Sequence, residues 1–275
     1  MLLQRSLVVF TLLPLGLAAI YLGGWFYWIA MGLFLFLAAR EYGIMFRNSG
    51  HRPAIPLIAL GTAALLLDRA LYQFAHAAVL LSALVLFSML YHLIDYERGG
   101  EHPGTDFGIT LGGILYLGWI GAYLISLRNL NNGLDGRWWT LIALMGVWLA
   151  DIGAYLIGKK FGKHPLCPRL SPMKTIEGYV GGILFALVLG TGWSWLILRL
   201  AGPNVNIQLW QAILITLAMG IFTALGDVGE SMLKREASVK DSSNLLPGHG
   251  GAFDFVDSWL WAGVISYYLV QIVYS

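Results

Sequence analysis

"MLLQRSLVVFTLLPLGLAAIYLGGWFYWIAMGLFLFLAAR" (residues 1–40) carries only two charges, Arg5 and Arg40. As one helix it would extend about 60 Å, twice the roughly 30 Å hydrocarbon core of a bilayer. The stretch therefore predicts two membrane spans, 6–22 and 24–40, with Gly23-Gly24 as the turn between them. A cleaved secretory leader would have a shorter apolar core, of about 7–15 residues, so the first span is expected to be retained.

The same pattern continues to the other end. The 275 residues are 58% hydrophobic and 12% charged, with mean hydropathy +0.70, whereas soluble domains are roughly a quarter charged. Further apolar runs, bounded by charges, Gly or Pro, lie at 53–68, 70–91, 107–127, 138–158, 176–199, 209–233 and 255–274. The run 53–68 is the shortest and is flanked by proline. The expectation is an all-α polytopic bundle of about nine transmembrane helices. It forms a single integral membrane domain over 1–275, in which 1–137 supplies N-terminal spans and 138–275 the spans and loops that carry an active site.

Placing the N-terminus in the cytoplasm puts Arg5, Arg40, Arg47, Arg52, Arg98, Lys159, Lys160, Lys163, Arg169, Lys174, Lys234, Arg235 and Lys240 inside. Arg69, Arg128, Arg137 and Arg199 fall outside, a 13 to 4 split that follows the positive-inside rule. Trp25, Trp28, Trp119, Trp138, Trp139 and Trp210 fall near predicted span ends, as an interfacial aromatic belt would. One cysteine, Cys167 in a basic loop, excludes an internal disulfide framework. No internal repeat of the inverted-transporter kind is visible.

Polar chemistry gathers in three segments on the predicted cytoplasmic side: 151–182, 226–235 and "KDSSNLLPGHGGAFDFVDS" (240–258). Asp151, Asp227 and Glu230 interrupt apolar helices, where a carboxylate is costly unless paired, hydrated or bound to a cation. Asp227 and Glu230 are three apart and share a helix face, and Asp254 and Asp257 repeat the spacing. With Asp241, these are hard oxygen ligands of the type that suits magnesium. The blander reading has Asp254 and Asp257 capping the last span and Glu230 pairing with Lys234. Most of the lysines need only the positive-inside bias. Lys174, Lys234, Arg235 and Lys240 stand out because each adjoins Gly, Ser/Thr or Asp. "SPMKT" (171–175) reads as a turn with a basic and hydroxyl patch, and "PGHGG" (247–251) offers backbone amides for close approach to a ligand. Gly181-Gly182 reads equally well as a helix-packing patch. Carboxylates, cations and flexible backbone at one membrane face point to phosphoryl or nucleotidyl transfer on a lipid.

At "SMLKREASVKDSSNLLPGHGGAFDFVD" (231–257) the chain resembles bacterial phosphatidate cytidylyltransferases, whose signature runs S-x-x-K-R, four residues, K-D, P-x-H-G-G and D-R-x-D. Ser231, Lys234, Arg235, Lys240, Asp241, Pro247, His249, Gly250, Gly251, Asp254 and Asp257 match it. "GDVGES" and "SPMKTIEGYVGG" extend the resemblance over most of 151–258. It implies transfer of CMP from CTP to phosphatidate, giving CDP-diacylglycerol and pyrophosphate, by a dimeric inner-membrane enzyme that uses Mg²⁺, with a second cation possible and no nucleic-acid partner. It implies Asp227, Asp254 and Asp257 near the metal, with Asp151 and Asp241 as further candidates. Asp227, Lys234, Asp241, Asp254 and Asp257 are the expected catalytic groups. The expected substrate contacts are Ser171, Lys174, Thr175, Ser231, Arg235, Lys240, His249, Gly250 and Gly251. The competing functions are a CTP-dependent lipid kinase, a transporter of a phosphorylated compound, and a catalytically silent relative.

Two positions depart from the signature. Ala252 replaces a larger aliphatic, and Phe255 stands where the signature has Arg. At about 100° per residue, position 255 lies roughly 160° from Asp257 and roughly 100° from Asp254 around the helix, so it need not face the same cleft.

Overall fold

The structure is a computed structural model. It describes residues 2–203, 205–246, 248 and 250–274, and side chains within 10–273 of these. Nine helices are present among the described residues: α1 (Leu2–Leu22), α2 (Gly24–Asn48), α3 (Ile55–Tyr72), α4 (Ala77–Glu97), α5 (Pro103–Arg128), α6 (Gly136–Phe161), α7 (Ile176–Ala201), α8 (Leu209–Glu236) and α9 (Ala252–Tyr274). Helices α2 to α9 are long and apolar enough to cross a membrane. In α1 the described apolar stretch is Phe10–Leu22, so the start of the predicted first span lies outside the described side chains. Phe10, Val79 and Leu86 are each at least 70% exposed, which is costly in water and neutral against lipid tails. The protein is a multi-pass helical membrane protein.

Helix ends differ from the predicted ones where a charge is satisfied inside the protein. Helix α2 runs past Arg40 because the next residue, Glu41, is buried and hydrogen-bonded. Helix α3 runs through Asp68 and Arg69 to Tyr72. Asp68 is 4% exposed and meets His76 Nδ1 at 2.9 Å, and the Arg69 guanidinium lies 5.0 Å from the centre of the Phe74 ring. The chain then turns through the left-handed region at Gln73 and Phe74 (φ 52° and 69°), so α4 starts at Ala77 and not at 70.

The backbone gathers into two compact units that interleave along the chain. The first comprises Met1–Gly16, Trp25–Ser126 and Leu233–Val256; the second comprises Leu17–Gly24, Leu127–Met232 and Asp257–Ser275. In the first unit, Tyr27, Leu35, Ile58, Leu65, Leu117 and Phe253 are fully buried, and the Tyr27 hydroxyl donates to the Leu124 carbonyl at 3.2 Å. Helix α5 passes through a π-helical stretch, Ile114–Ile120. There Gly118 brings its backbone against α3, where a Cβ would meet Thr62 Cα at 3.1 Å.

In the second unit, α6 and α7 pack backbone to backbone. A Cβ at Gly153 would lie 2.5 Å from Phe185, at Gly181 2.5 Å from Ile157, at Gly182 2.7 Å from the Ala150 carbonyl and at Gly178 2.8 Å from the Ala154 carbonyl. Gly181-Gly182 is thus a helix-packing patch, one of its two readings from sequence. Trp139 is fully buried with Ile142, Val147, Ile215 and Met219, so it belongs to the core and not to an aromatic belt, whereas Trp25 and Trp210 are more than half exposed. Arg128 is 4% exposed and donates to the carbonyls of Ile20, Tyr21 (3.2 Å) and Gly133 (2.9 Å), closing the C-terminal end of α1. The basic loop after α6 forms a two-stranded antiparallel hairpin, β1 (Pro165–Cys167) with β2 (Ser171–Thr175).

Candidate active site

Each unit holds one concentration of the predicted residues. In the second unit the key position is Gly226 on α8. A Cβ there would meet the Asp257 carbonyl at 2.8 Å, Trp261 Cδ1 at 2.9 Å and Ser258 Cα at 3.0 Å. Glycine lets α8 and α9 approach at this level. The next carboxylates on α8, Asp227 and Glu230, then come together with Asp257 of α9, one oxygen from each lying within 4.8 Å of the others. Glu230 is 1% exposed and Asp257 is 9%. Lys174 Nζ, from β2, reaches Asp227 Oδ2 at 2.6 Å.

Three carboxylates in so small a space repel one another, and the Lys174 ammonium on Asp227 offsets part of that charge. The donor set fits a hard divalent cation. Octahedral Mg²⁺ with bonds of about 2.1 Å needs ligand oxygens within about 4.2 Å of each other, a contraction that small side-chain rotations supply. Glu230, identified in the sequence as a costly carboxylate but left out of the expected ligands, belongs to this group. Its i, i+3 relation to Asp227 was the signal.

The other expected residues of this unit lie around the group or apart from it. Asp151 of α6 is not one of the three carboxylates within 4.8 Å of one another, but it lies close enough to Asp227, Asp257 and Lys174 to interact with their charges. Ser231 is half-buried on α8, one residue after Glu230, and Ser171 is half-buried on β2. Thr175 caps α7, its hydroxyl accepting the Gly178 amide at 3.1 Å. Glu177, in the first turn of α7, accepts the amides of Lys163 (3.0 Å) and His164 (3.2 Å), tying the hairpin to the helix.

In the first unit the signature segment folds around Asp254. Lys234 Nζ donates to Asp254 Oδ1 at 2.7 Å, and Oδ2 accepts the Ser242 amide and the Gly251 amide, both at 2.8 Å, and the Ser242 hydroxyl at 2.7 Å. The Gly251 bond is the capping contact considered from sequence: the third residue of α9 reaches back to the amide before the helix. Asp254 and Asp257, three apart on one helix, thus have different partners.

The glycines of the bend are held by the chain's own carboxylates. A Cβ on Gly250 (φ 83°) would lie 2.5 Å from Asp254 Oδ2, and one on Gly251 would lie 2.3 Å from Glu41 Oε2. Leu246 N donates to the Gly250 carbonyl at 2.8 Å and closes the bend. Arg235, Lys240 and Asp241 are exposed, and Arg235 Nη1 donates to the Val239 carbonyl at 3.2 Å. His249 and Pro247 lie outside the described residues. Phe255 stacks on Phe34 of α2, with centroids 5.6 Å apart and planes at 27°. Glu41, absent from the expected site, joins this cluster through Ser242, Ser243 and Phe253.

A bundle of apolar helices with a partly buried acidic group, a lysine paired to it and a lysine-clamped loop has the make-up of a membrane-embedded enzyme of phosphate chemistry. The chain belongs to the cytidylyltransferase family, whose model matches residues 3–273. It is 32% identical to the phosphatidate cytidylyltransferase of Synechocystis sp., over 98% of this chain and 97% of that protein. It is 38% identical to that of Pseudomonas aeruginosa, over 94% and 93%. Against that of Bacillus subtilis the identity is 43%, over 60% of this chain and 58% of that protein.

Proposed function

We propose that the protein is a phosphatidate cytidylyltransferase. A phosphate oxygen of phosphatidate attacks the α-phosphorus of CTP, the bond from that phosphorus to the β-phosphate bridging oxygen breaks, and CDP-diacylglycerol and pyrophosphate result. The observation that carries this reading is the acidic group Asp227–Glu230–Asp257 with Lys174 on Asp227, in a chain whose full-length relatives carry that name.

The cofactor in this reading is Mg²⁺, held by Asp227, Glu230 and Asp257, with a second cation possible. A bound cation supplies charge neutralisation on the phosphate oxygens. Lys174, Lys234, Arg235, Lys240 and His249 bind phosphates, with Ser171 and Ser231 as hydroxyl contacts. Repulsion between two anionic reactants is the main obstacle, and fixed positive groups lower it without reorganisation. Asp254 serves by holding Lys234 and the bend, while Asp151 and Asp241 remain further carboxylates of the site. The excess of Lys and Arg in the loops assigned to one side supports a cytoplasmic active-site face in an inner membrane. The resemblance supports a homodimer, each copy one integral membrane domain.

The test is purified protein in detergent with CTP, phosphatidate and Mg²⁺, scored for CDP-diacylglycerol and pyrophosphate. Asp227→Ala and Asp257→Ala are each expected to lower turnover by roughly a hundredfold or more. Release of CDP instead would establish a lipid kinase, and full activity in both variants would remove the metal assignment.

A further inference from the structure

Glu41 sits on α2, and the serine it binds most closely, Ser243, is 202 residues further along the chain. Glu41 is 6% exposed, in surroundings where an ionised group is costly unless it accepts hydrogen bonds. Two donors of one short segment meet it, the Ser243 hydroxyl at 2.6 Å and the Phe253 amide at 2.9 Å, and the Ser242 hydroxyl lies 3.1 Å away with its one proton shared between this carboxylate and Asp254. The Ser242 hydroxyl lies between two carboxylates, at 2.7 Å from Asp254 Oδ2 on its other side. Gly251 fits only because it lacks a side chain, since a Cβ there would come within 2.2 Å of Ser242 Oγ and 2.3 Å of Glu41 Oε2. Both ends of the segment 242–253 therefore converge on one carboxylate from the other half of the chain.

We infer that Glu41 is a positioning residue for the signature segment. It holds Ser242 and Ser243 against Phe253 before any substrate arrives, and so sets Lys240 and Asp241 on one side and Asp254 on the other. Resting on the cytidylyltransferase reading, the inference is that Glu41 governs binding of CTP through the segment and leaves binding of phosphatidate alone. Its carboxylate is taken up by donors of the chain itself. Charge is thus not its contribution. Glutamine keeps an acceptor for the Phe253 amide and offers an amide to the serine oxygens.

The experiment uses the full chain in detergent, with Glu41→Ala, Glu41→Gln, Gly251→Ala and the Glu41→Ala/Gly251→Ala double variant. Glu41→Ala is expected to raise the KM for CTP about tenfold with the KM for phosphatidate within about twofold, and Glu41→Gln to restore both. Without substrates, amide exchange across 242–253 is expected to quicken about tenfold in Glu41→Ala and to stay slow in Glu41→Gln. Gly251→Ala should impair the wild type, and its added loss should be smaller in the Glu41→Ala background, where the Ser242 hydroxyl alone still stands in the way of the methyl. Equal loss in the Gln and Ala variants, unchanged exchange, or equal rises in both KM values would overturn the inference. If Glu41→Ala fails to fold, Gly251→Ala decides: wild-type CTP kinetics and exchange in that protein would overturn it. A wild type that turns over no CTP strikes the proposed activity, and the exchange measurement then still decides the role of Glu41.

Discussion

One methyl group at Gly226 probes how the acidic group is assembled. In Gly226→Ala the new Cβ would sit 2.8 Å from the Asp257 carbonyl and 3.0 Å from Ser258 Cα, both backbone atoms that cannot rotate aside. Reaching an ordinary contact of about 3.5 Å separates α8 from α9 by roughly 0.7 Å. Oxygens now within 4.8 Å of one another would then spread to roughly 5.5 Å, against the roughly 4.2 Å that octahedral Mg²⁺ tolerates. Displacing ligands from their metal costs about 10- to 100-fold in affinity when their supporting contacts are lost. The half-saturating Mg²⁺ concentration for CDP-diacylglycerol formation should rise by that factor, with partial recovery of turnover at high Mg²⁺. Binding of Mn²⁺ followed by electron paramagnetic resonance should weaken in parallel. Overpacking should also cost about 1–3 kcal/mol of stability, readable as a lower unfolding temperature in detergent. A folded Gly226→Ala protein whose Mg²⁺ dependence stays within about twofold of wild type would refute the assembly described for Asp227, Glu230 and Asp257.

Three further outcomes are expected. Lys174→Ala should lower turnover by about tenfold or more while costing at most about 1 kcal/mol of stability, because the pair with Asp227 is partly exposed; a large drop in unfolding temperature would contradict this. Thr175→Ala should cost about 1 kcal/mol through loss of the α7 cap, and the KM for CTP measured beside it decides whether the hydroxyl also meets substrate: an unchanged KM leaves Thr175 a cap alone. Phe255→Arg should fold and remain active, because a guanidinium can lie over Phe34 as the phenyl ring does. It should change rate or affinity only, and an inactive wild type alongside an active Arg variant would contradict that expectation.

Local features were legible in the sequence where they depend on neighbours along the chain. Apolar runs announced the spans because each must satisfy its own backbone in lipid. The i, i+3 carboxylates on α8 announced a shared face. Helix ends were less legible, since Glu41 and Asp68 look like boundaries until their partners are known. The hairpin 165–175 and the π-helical stretch of α5 left no period to read. The partner of Glu41 was out of reach, because a single buried glutamate in "AREYG" gives no hint of serines two hundred residues away. Asp254 and Asp257 repeat a spacing that suggested one shared job, yet one holds a loop and the other joins the acidic group. The glycines of "PGHGG" were read as making room for a ligand, and the close approaches seen at Gly250 and Gly251 are to the chain's own carboxylates.

The contact between α6 and α7 bears on how tolerance to substitution would map onto this protein. At Gly153, Gly178, Gly181 and Gly182 the next atom across the interface lies within 2.5 to 2.8 Å of where a side chain would begin. No lipid tail fits in that seam, and no larger residue enters without prising two spans apart. Saturation mutagenesis scored by growth would mark these four positions as severely as Asp227 or Asp257, although none of them carries a group able to meet CTP. A ranking by intolerance alone would draw the catalytic centre too large and stretch it up the helix seam into the bilayer. Scoring the same library for both folded yield and turnover separates the two sets, since seam variants lose yield and site variants keep it.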